Sequence, residues 1–190
     1  MISFSKIILG FITGSTFLIL TATQIFSIGS EVSASTDQII VEETFVDSQL
    51  SNDGCAISPS FPANIQRWCS EIEFYSNIYD LDPNLVAAVM LQESGGDPNA
   101  YSKSGAVGLM QIMPRDGIAA SFNCINGPCF SNRPSMEELF NPEFNIEFGV
   151  KMLSNLYGKF GNWRDAFKSY GPMDMGYGYA DIVLSIYNTY

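Results

Sequence analysis

From Pro62 to the C-terminus the apolar residues recur at helical spacing, and no stretch alternates convincingly as a half-buried strand would. That pattern holds the chain to an all-α class. Ile65, Trp68, Cys69, Ile72, Ser76 and Tyr79 fall on one stripe of a first helix, with only Ser76 polar. Asp82 before Pro83 supplies an N-cap and a proline at the first helical position, where its missing N–H is no loss. Leu85, Val86, Val89 and Met90 give the apolar face of this second helix, and Gly95-Gly96 ends it because glycine accepts a left-handed conformation. Ser135 and Glu138 have the spacing of a capping box. Asn141-Pro142 opens the longest helix, which buries Ile146, Val150, Leu153, Leu156 and Tyr157 before Gly161. Asn162 caps a short helix bearing Trp163, Ala166, Phe167 and Tyr170, and a last helix carries Tyr179, Ile182, Val183, Ile186 and Tyr187.

With 190 residues, 46% of them apolar, the chain can build one domain with a substantial core, and not comfortably two. The helical pattern assigns that domain to residues 62–190. Residues 1–34 read differently: Lys6 gives a positive start, Ile7 to Leu20 a mostly apolar run, and Val32-Ser33-Ala34 a small-residue cleavage site. This is the layout of a secretory signal peptide. The alternative is an uncleaved anchor, since Ile7 to Ile28 could nearly span a bilayer; Thr21, Thr23 and Gln24 interrupt the run and favour cleavage. Either way the remainder is expected to be exported, periplasmic or extracellular. Residues 35–61 are polar and acidic with no basic residue, and are expected to form a loosely ordered arm.

Loss of residues 1–34 would remove Lys6 and Glu31 together and leave the net charge at −11. So acidic a chain lacks the basic footprint that nucleic acid requires and is repelled by anionic lipid. The four cysteines, Cys55, Cys69, Cys124 and Cys129, are an even number in a chain expected to be exported, which suggests two disulfides. Three pairings are open. Closeness in sequence favours Cys55–Cys69 and Cys124–Cys129. A metal site is the rival use of these thiols, disfavoured by the absence of histidine and of C-x-x-C spacing.

One acidic residue sits on the wrong face. Glu93 lies four residues after Val89 and eight after Leu85, on or beside the apolar stripe and near the helix end. Desolvation and the negative end of the helix dipole both disfavour its charged form. Both raise its pKa, the direction a general acid near neutral pH needs. The unexceptional alternative is a half-exposed glutamate on the last helical turn. The glycine-rich stretch Ser104 to Pro114 weighs against that, because it lets a large ligand approach the carboxylate.

Glu93-Ser94 followed by Gly108-Leu109-Met110-Gln111 resembles the paired motif of the soluble lytic transglycosylase catalytic domain (family 1 type), within the lysozyme-like superfamily. Asn141-Pro142-Glu143-Phe144-Asn145-Ile146 with Gly149, and Ala166 with Tyr170, extend the likeness over about residues 65–188. The resemblance implies a goose-type, transglycosylase-like helical fold with a substrate groove. It also implies cleavage of the β-1,4 bond between N-acetylmuramic acid and N-acetylglucosamine in peptidoglycan, without cofactor or metal. By that analogy Glu93 protonates the glycosidic oxygen and then accepts the C6 hydroxyl proton of the same sugar, giving a 1,6-anhydro ring. Ser94 would orient the substrate or Glu93. Gly108, Gln111 and the main chain at Met110 would line the groove, and Tyr170 would hydrogen-bond the glutamate.

No second carboxylate is an obvious partner: Asp97 reads as a turn former before Pro98-Asn99, and Asp116 follows the Met113-Pro114 pair. Tyr101 and Tyr177, in serine- or glycine-rich loops, are candidates to stack on sugar rings. The likeness breaks at Ser169-Tyr170-Gly171, where relatives usually read Ala-Tyr-Asn, which puts groove contacts in doubt. The segment from Arg115 to Pro134, with Cys124 to Cys129 inside it, is a second departure; it either borders the groove or stiffens an insertion. Two other functions compete: a hydrolytic muramidase on the same fold, and a glycan-binding module that no longer cleaves. Wall turnover, passage of a cell-envelope secretion or conjugation apparatus, and a phage role would all suit such a domain, which is expected to be monomeric.

Overall fold

The computed structural model of the chain describes residues 54–190, so the expected signal segment and residues 35–53 of the arm lie outside the described residues. The described residues form seven α-helices: α1 Ala63–Gln66, α2 Cys69–Ile78, α3 Pro83–Ser94, α4 Met136–Leu139, α5 Pro142–Phe160, α6 Trp163–Tyr170 and α7 Tyr177–Thr189. A 3₁₀ turn, Gly117–Ser121, and a two-stranded hairpin, β1 Asn123–Cys124 with β2 Gly127–Pro128, lie between α3 and α4.

The local signals set the helix ends. Asp82 accepts from the Asn84 N–H at 2.8 Å with Pro83 at the first position, and Asn141 accepts from Phe144 in the same way. Asn162 accepts from Asp165, and Ser135 and Glu138 complete a reciprocal capping box. Gly95 and Gly161 close α3 and α5 at φ 62° and 71°, in the left-handed region.

The expected first helix is interrupted. It divides into α1 and α2 at Arg67-Trp68, and both side chains donate to the Gly96 carbonyl, at 2.6 and 3.0 Å. The arm boundary also moves. Ile57 and Phe61 are buried in the core and Cys55 is bonded to Cys69, so residues 54–61 pack with the domain and are not part of a loose arm. The favoured cysteine pairing, Cys55–Cys69 and Cys124–Cys129, is the one present, with Cα atoms 5.9 and 5.0 Å apart. No thiolate is left to hold a metal.

Helix α3 is the centre of the domain. Leu85 through Met90 are six consecutive buried residues, including Ala87 and Ala88, so this stretch has no polar face. A helix apolar all round must be surrounded, and α1, α2 and α7 pack on it. Each fully buried Leu, Val or Met contributes roughly 1.5–3 kcal/mol of transfer free energy. Helix α5 packs against α2, α4 and α6, and α6 packs against α7. Glu93 therefore sits where the buried central helix emerges.

Candidate active site

Glu93 occupies the penultimate position of α3, half-buried. The Tyr179 hydroxyl donates to its Oε1. Oε2 has no hydrogen-bond partner among the described residues. Burial raises the Glu93 pKa to about 7, and the Tyr179 hydrogen bond opposes that rise without cancelling it. No other carboxylate among the described residues perturbs it. The Tyr179 hydroxyl is itself held far above its ordinary pKa, first by burial and then by the Glu93 charge, so it acts as a fixed donor.

The tyrosine expected to reach Glu93 was Tyr170, and the structure corrects this. The Tyr170 hydroxyl donates to the Met110 carbonyl at 2.8 Å, and its ring lies nearly parallel to that of Tyr179 with centroids 6.4 Å apart. Tyr170 thus supports the glycine-rich loop, and Tyr179, nine residues on, touches the acid. Sequence reasoning placed Tyr179 on the apolar stripe of the last helix. The available signal was that a tyrosine on such a stripe still needs a partner for its hydroxyl.

Gly171 explains how Tyr179 fits. Its backbone is extended, φ −72° and ψ −178°, so no special conformation requires glycine. Space does: a Cβ at 171 would lie 2.3 Å from Cγ of the Tyr179 ring. The departure from Ala-Tyr-Asn therefore makes room for the ring that holds Glu93.

The Gly108 to Gln111 loop is fixed from beneath by Asn145, a fully buried polar residue of α5. Its amide donates to the carbonyls of Val107 (2.9 Å) and Leu139 (2.8 Å), while its Oδ1 accepts from the Met110 N–H (2.8 Å). Gly108, at φ 75°, presses so closely that a Cβ would lie 2.4 Å from the Asn145 amide nitrogen. The sequence reading had Asn145 only as part of a motif, without a role. Gly149 of α5 likewise leaves room for the buried Met110 side chain.

Ser94 joins the acid's helix to this loop: its hydroxyl donates to the Leu109 carbonyl at 2.8 Å and accepts from Gly96 N–H at 3.1 Å. Gln111 sits at φ 47° and donates to the carbonyls of Gly108 (2.9 Å) and Ala100 (3.2 Å), so its donor end serves the turn itself. Val107 bridges to both Tyr101 and Ile112, which sets Tyr101 at the edge of the same loop, 43% exposed and 6.4 Å from the Phe140 ring. Tyr177 is pinned elsewhere: its hydroxyl donates to Asp165 at 2.7 Å, and Arg164 and Lys168 lie over its ring. Asp97 accepts from the Asn99 N–H at 2.9 Å, the turn role expected of it. Asp116 accepts from the Met136 N–H at 2.7 Å, at the start of α4.

A half-buried carboxyl raised to about 7, with one oxygen held by tyrosine, thus stands beside a glycine loop on a helical scaffold. The model of the transglycosylase SLT domain family matches residues 70–173, more than half of the chain, and the chain belongs to that family. It is 37% identical over 101 residues to membrane-bound lytic murein transglycosylase E of Buchnera aphidicola, covering 53% of this chain and 44% of that protein. It is 36% identical over 113 residues to endo-type membrane-bound lytic murein transglycosylase A of Cronobacter sakazakii, covering 54% of each. The chain thus spans about half the length of these curated relatives. Among solved structures, an inactive mutant of lytic transglycosylase Slt from Pseudomonas aeruginosa aligns with a TM-score of 0.48 at 23% identity, covering 62% of this chain and 23% of that one. The 70 kDa soluble lytic transglycosylase of Escherichia coli aligns with a TM-score of 0.43 at 29% identity, covering 63% and 18%.

Proposed function

We propose that this chain is an exported lytic transglycosylase that cleaves the β-1,4 bond between N-acetylmuramic acid and N-acetylglucosamine in peptidoglycan. The observation that carries this reading is Glu93: a single carboxyl, raised to about 7, with Tyr179 on Oε1 and no described residue bonded to Oε2. Near neutral pH about half of such groups are protonated, so the acid form is present without a second carboxylate to raise it further. Glu93 gives its proton to the glycosidic oxygen as the C1–O bond breaks. The resulting carboxylate takes the proton of the C6 hydroxyl as O6 bonds to C1. The product is a 1,6-anhydro ring, no water is consumed, and Glu93 ends protonated as it began. This differs from schemes in which a second carboxylate acts as nucleophile or base.

Ser94, Gly108, Met110, Gln111, Tyr101 and Tyr170 then build and border the groove, most of them by fixing the loop and not through a side chain aimed at sugar. The relatives are named membrane-bound murein transglycosylases, which supports a place in the cell envelope. A non-cleaving module is the weaker reading, because Gly171, the residue that suggested it, accommodates the tyrosine that holds the acid. A hydrolytic muramidase would use the same Glu93 with water as acceptor. Mass analysis of muropeptides released from purified sacculi separates these readings: anhydro ends are expected, and exclusively hydrated reducing ends would refute the transglycosylase. Glu93→Gln is expected to lower release by about 10³-fold, within the range for loss of a general acid.

A further inference from the structure

The chain has four arginines, and three of them meet an oxygen. Arg67 donates to the Gly96 carbonyl, Arg115 pairs with Glu138, and Arg164 makes a two-pronged pair with Asp181. Arg133 is the exception, although it is half-buried and so has most need of a partner. Its guanidinium lies 5.7 Å from the centre of the Phe148 ring and donates to the Met152 sulfur, a weak acceptor. Among the described residues no carboxylate lies within ion-pair distance of it. In a chain of net charge −11, a half-buried cation that no described acid meets is conspicuous.

Its position gives that vacancy a use. Arg133 neighbours the Tyr170 hydroxyl electrostatically, and that hydroxyl also neighbours Glu93 while it supports the Met110 carbonyl. Phe148 and Met152, which hold the guanidinium, flank Gly149, against which the Met110 side chain is packed. Arg133 therefore stands against α5, on the same stretch of helix that the Met110 side chain of the glycine loop packs upon. A guanidinium presents a planar fork of donors that matches a carboxylate.

We propose that Arg133 receives a carboxylate of the peptide carried by the muramoyl sugar, and so selects peptide-bearing strands over bare glycan. This rests on the peptidoglycan reading of the site. On a peptide-bearing strand the lactyl carboxyl of each muramoyl sugar is tied up as the amide that joins the peptide, so the anionic groups a cation could meet there are the carboxylates of the peptide itself. Within the site Arg133 is a specificity-determining residue, and the bond-breaking steps are left to Glu93.

The test uses the full chain and strands from sacculi freed of accessory polymers, either carrying their peptides or stripped of them by an amidase and then converted to primary amides at the lactyl carboxylates that the amidase exposes. Arg133→Gln is expected to raise KM on peptide-bearing strands about tenfold more than on stripped strands, the worth of one charge-assisted pair, with the difference in KM and not in kcat. Arg133→Lys, which keeps the charge but not the fork, is expected to fall between wild type and Arg133→Gln. Arg133→Met, which keeps an apolar stem on Phe148 and Met152, is expected to match the glutamine variant. An equal loss on both substrates, or no loss on either, would overturn the assignment. Binding of the two strand types to the Glu93→Gln variant, with and without Arg133→Gln, keeps the two readings apart. Absence of any product from the wild type would defeat the proposed function, whereas selective loss of peptide-bearing binding would still support Arg133.

Discussion

The acid's surroundings and the hairpin between α3 and α4 are assembled by opposite means. Around Glu93 the contacts join distant parts of the chain: Met110 to Asn145 and to Tyr170, Glu93 to Tyr179, partners 35, 60 and 86 positions apart. The hairpin closes on itself through Cys124–Cys129, five residues apart, and a two-rung pairing, with Ile125 fully exposed at its tip. One region exists only when the whole domain is folded, and the proposed chemistry lies in it. The other keeps its shape by local covalent closure and carries no buried polar network. A site that needs a raised pKa must be enclosed by several elements at once, whereas a surface loop only needs to be stiff.

The sharpest way to break this contrast is to remove the post beneath the loop. Asn145→Leu leaves the Met110 N–H and the carbonyls of Val107 and Leu139 buried without partners, and is expected to cost about 3–5 kcal/mol in denaturant unfolding. Retention of wild-type stability would show that the loop does not depend on α5.

A smaller effect tests the enclosure of the acid. With a folded pKa of about 7 against an ordinary 4.5, Glu93 holds its proton more tightly in the folded state. Its contribution is fully present below about pH 4.5 and is lost as pH rises through 7. Glu93→Gln, which stays neutral, is therefore expected to be the more stable of the two above pH 7, by up to about 3 kcal/mol, and equal to wild type at pH 4. Parallel stability–pH curves for the two proteins would place Glu93 in water.

The smallest effect belongs to the hairpin. Replacing Cys124 and Cys129 together by serine removes a short closed loop, worth at most about 2 kcal/mol in the chain-entropy account. Muropeptide release should keep its rate and its pH profile. A shift in that profile would tie the hairpin to the acid and end the contrast.

The same division governs what the sequence could reveal. Helix starts at Asp82, Ser135, Asn141 and Asn162 were legible because a cap is a contact between residues two or three apart. The enclosure of Glu93 and the direction of its pKa were legible from its place on an apolar stripe. Tyr179 was not, because its hydroxyl's partner is set by how α7 lies across α3, and nothing local encodes that. The break at Arg67-Trp68 escaped for the same reason: its cause is the Gly96 carbonyl, far along the chain. Residues 54–61 read as arm by composition, and only the bond from Cys55 to Cys69 and the burial of Ile57 and Phe61 make them part of the core. Family likeness supplied a tyrosine for Glu93 but chose Tyr170, whose hydroxyl goes to the Met110 carbonyl instead.

The Cys55–Cys69 bond has a mechanical consequence. A pull on the chain from upstream of Cys55 passes through the sulfurs directly into α2, and does not run along Ile57, Phe61 and α1. Those residues, with Asn64, Arg67 and Trp68 gripping the carbonyls of Gly95 and Gly96, are shielded from tension. The corner that follows Glu93 is therefore isolated from whatever force the upstream chain transmits.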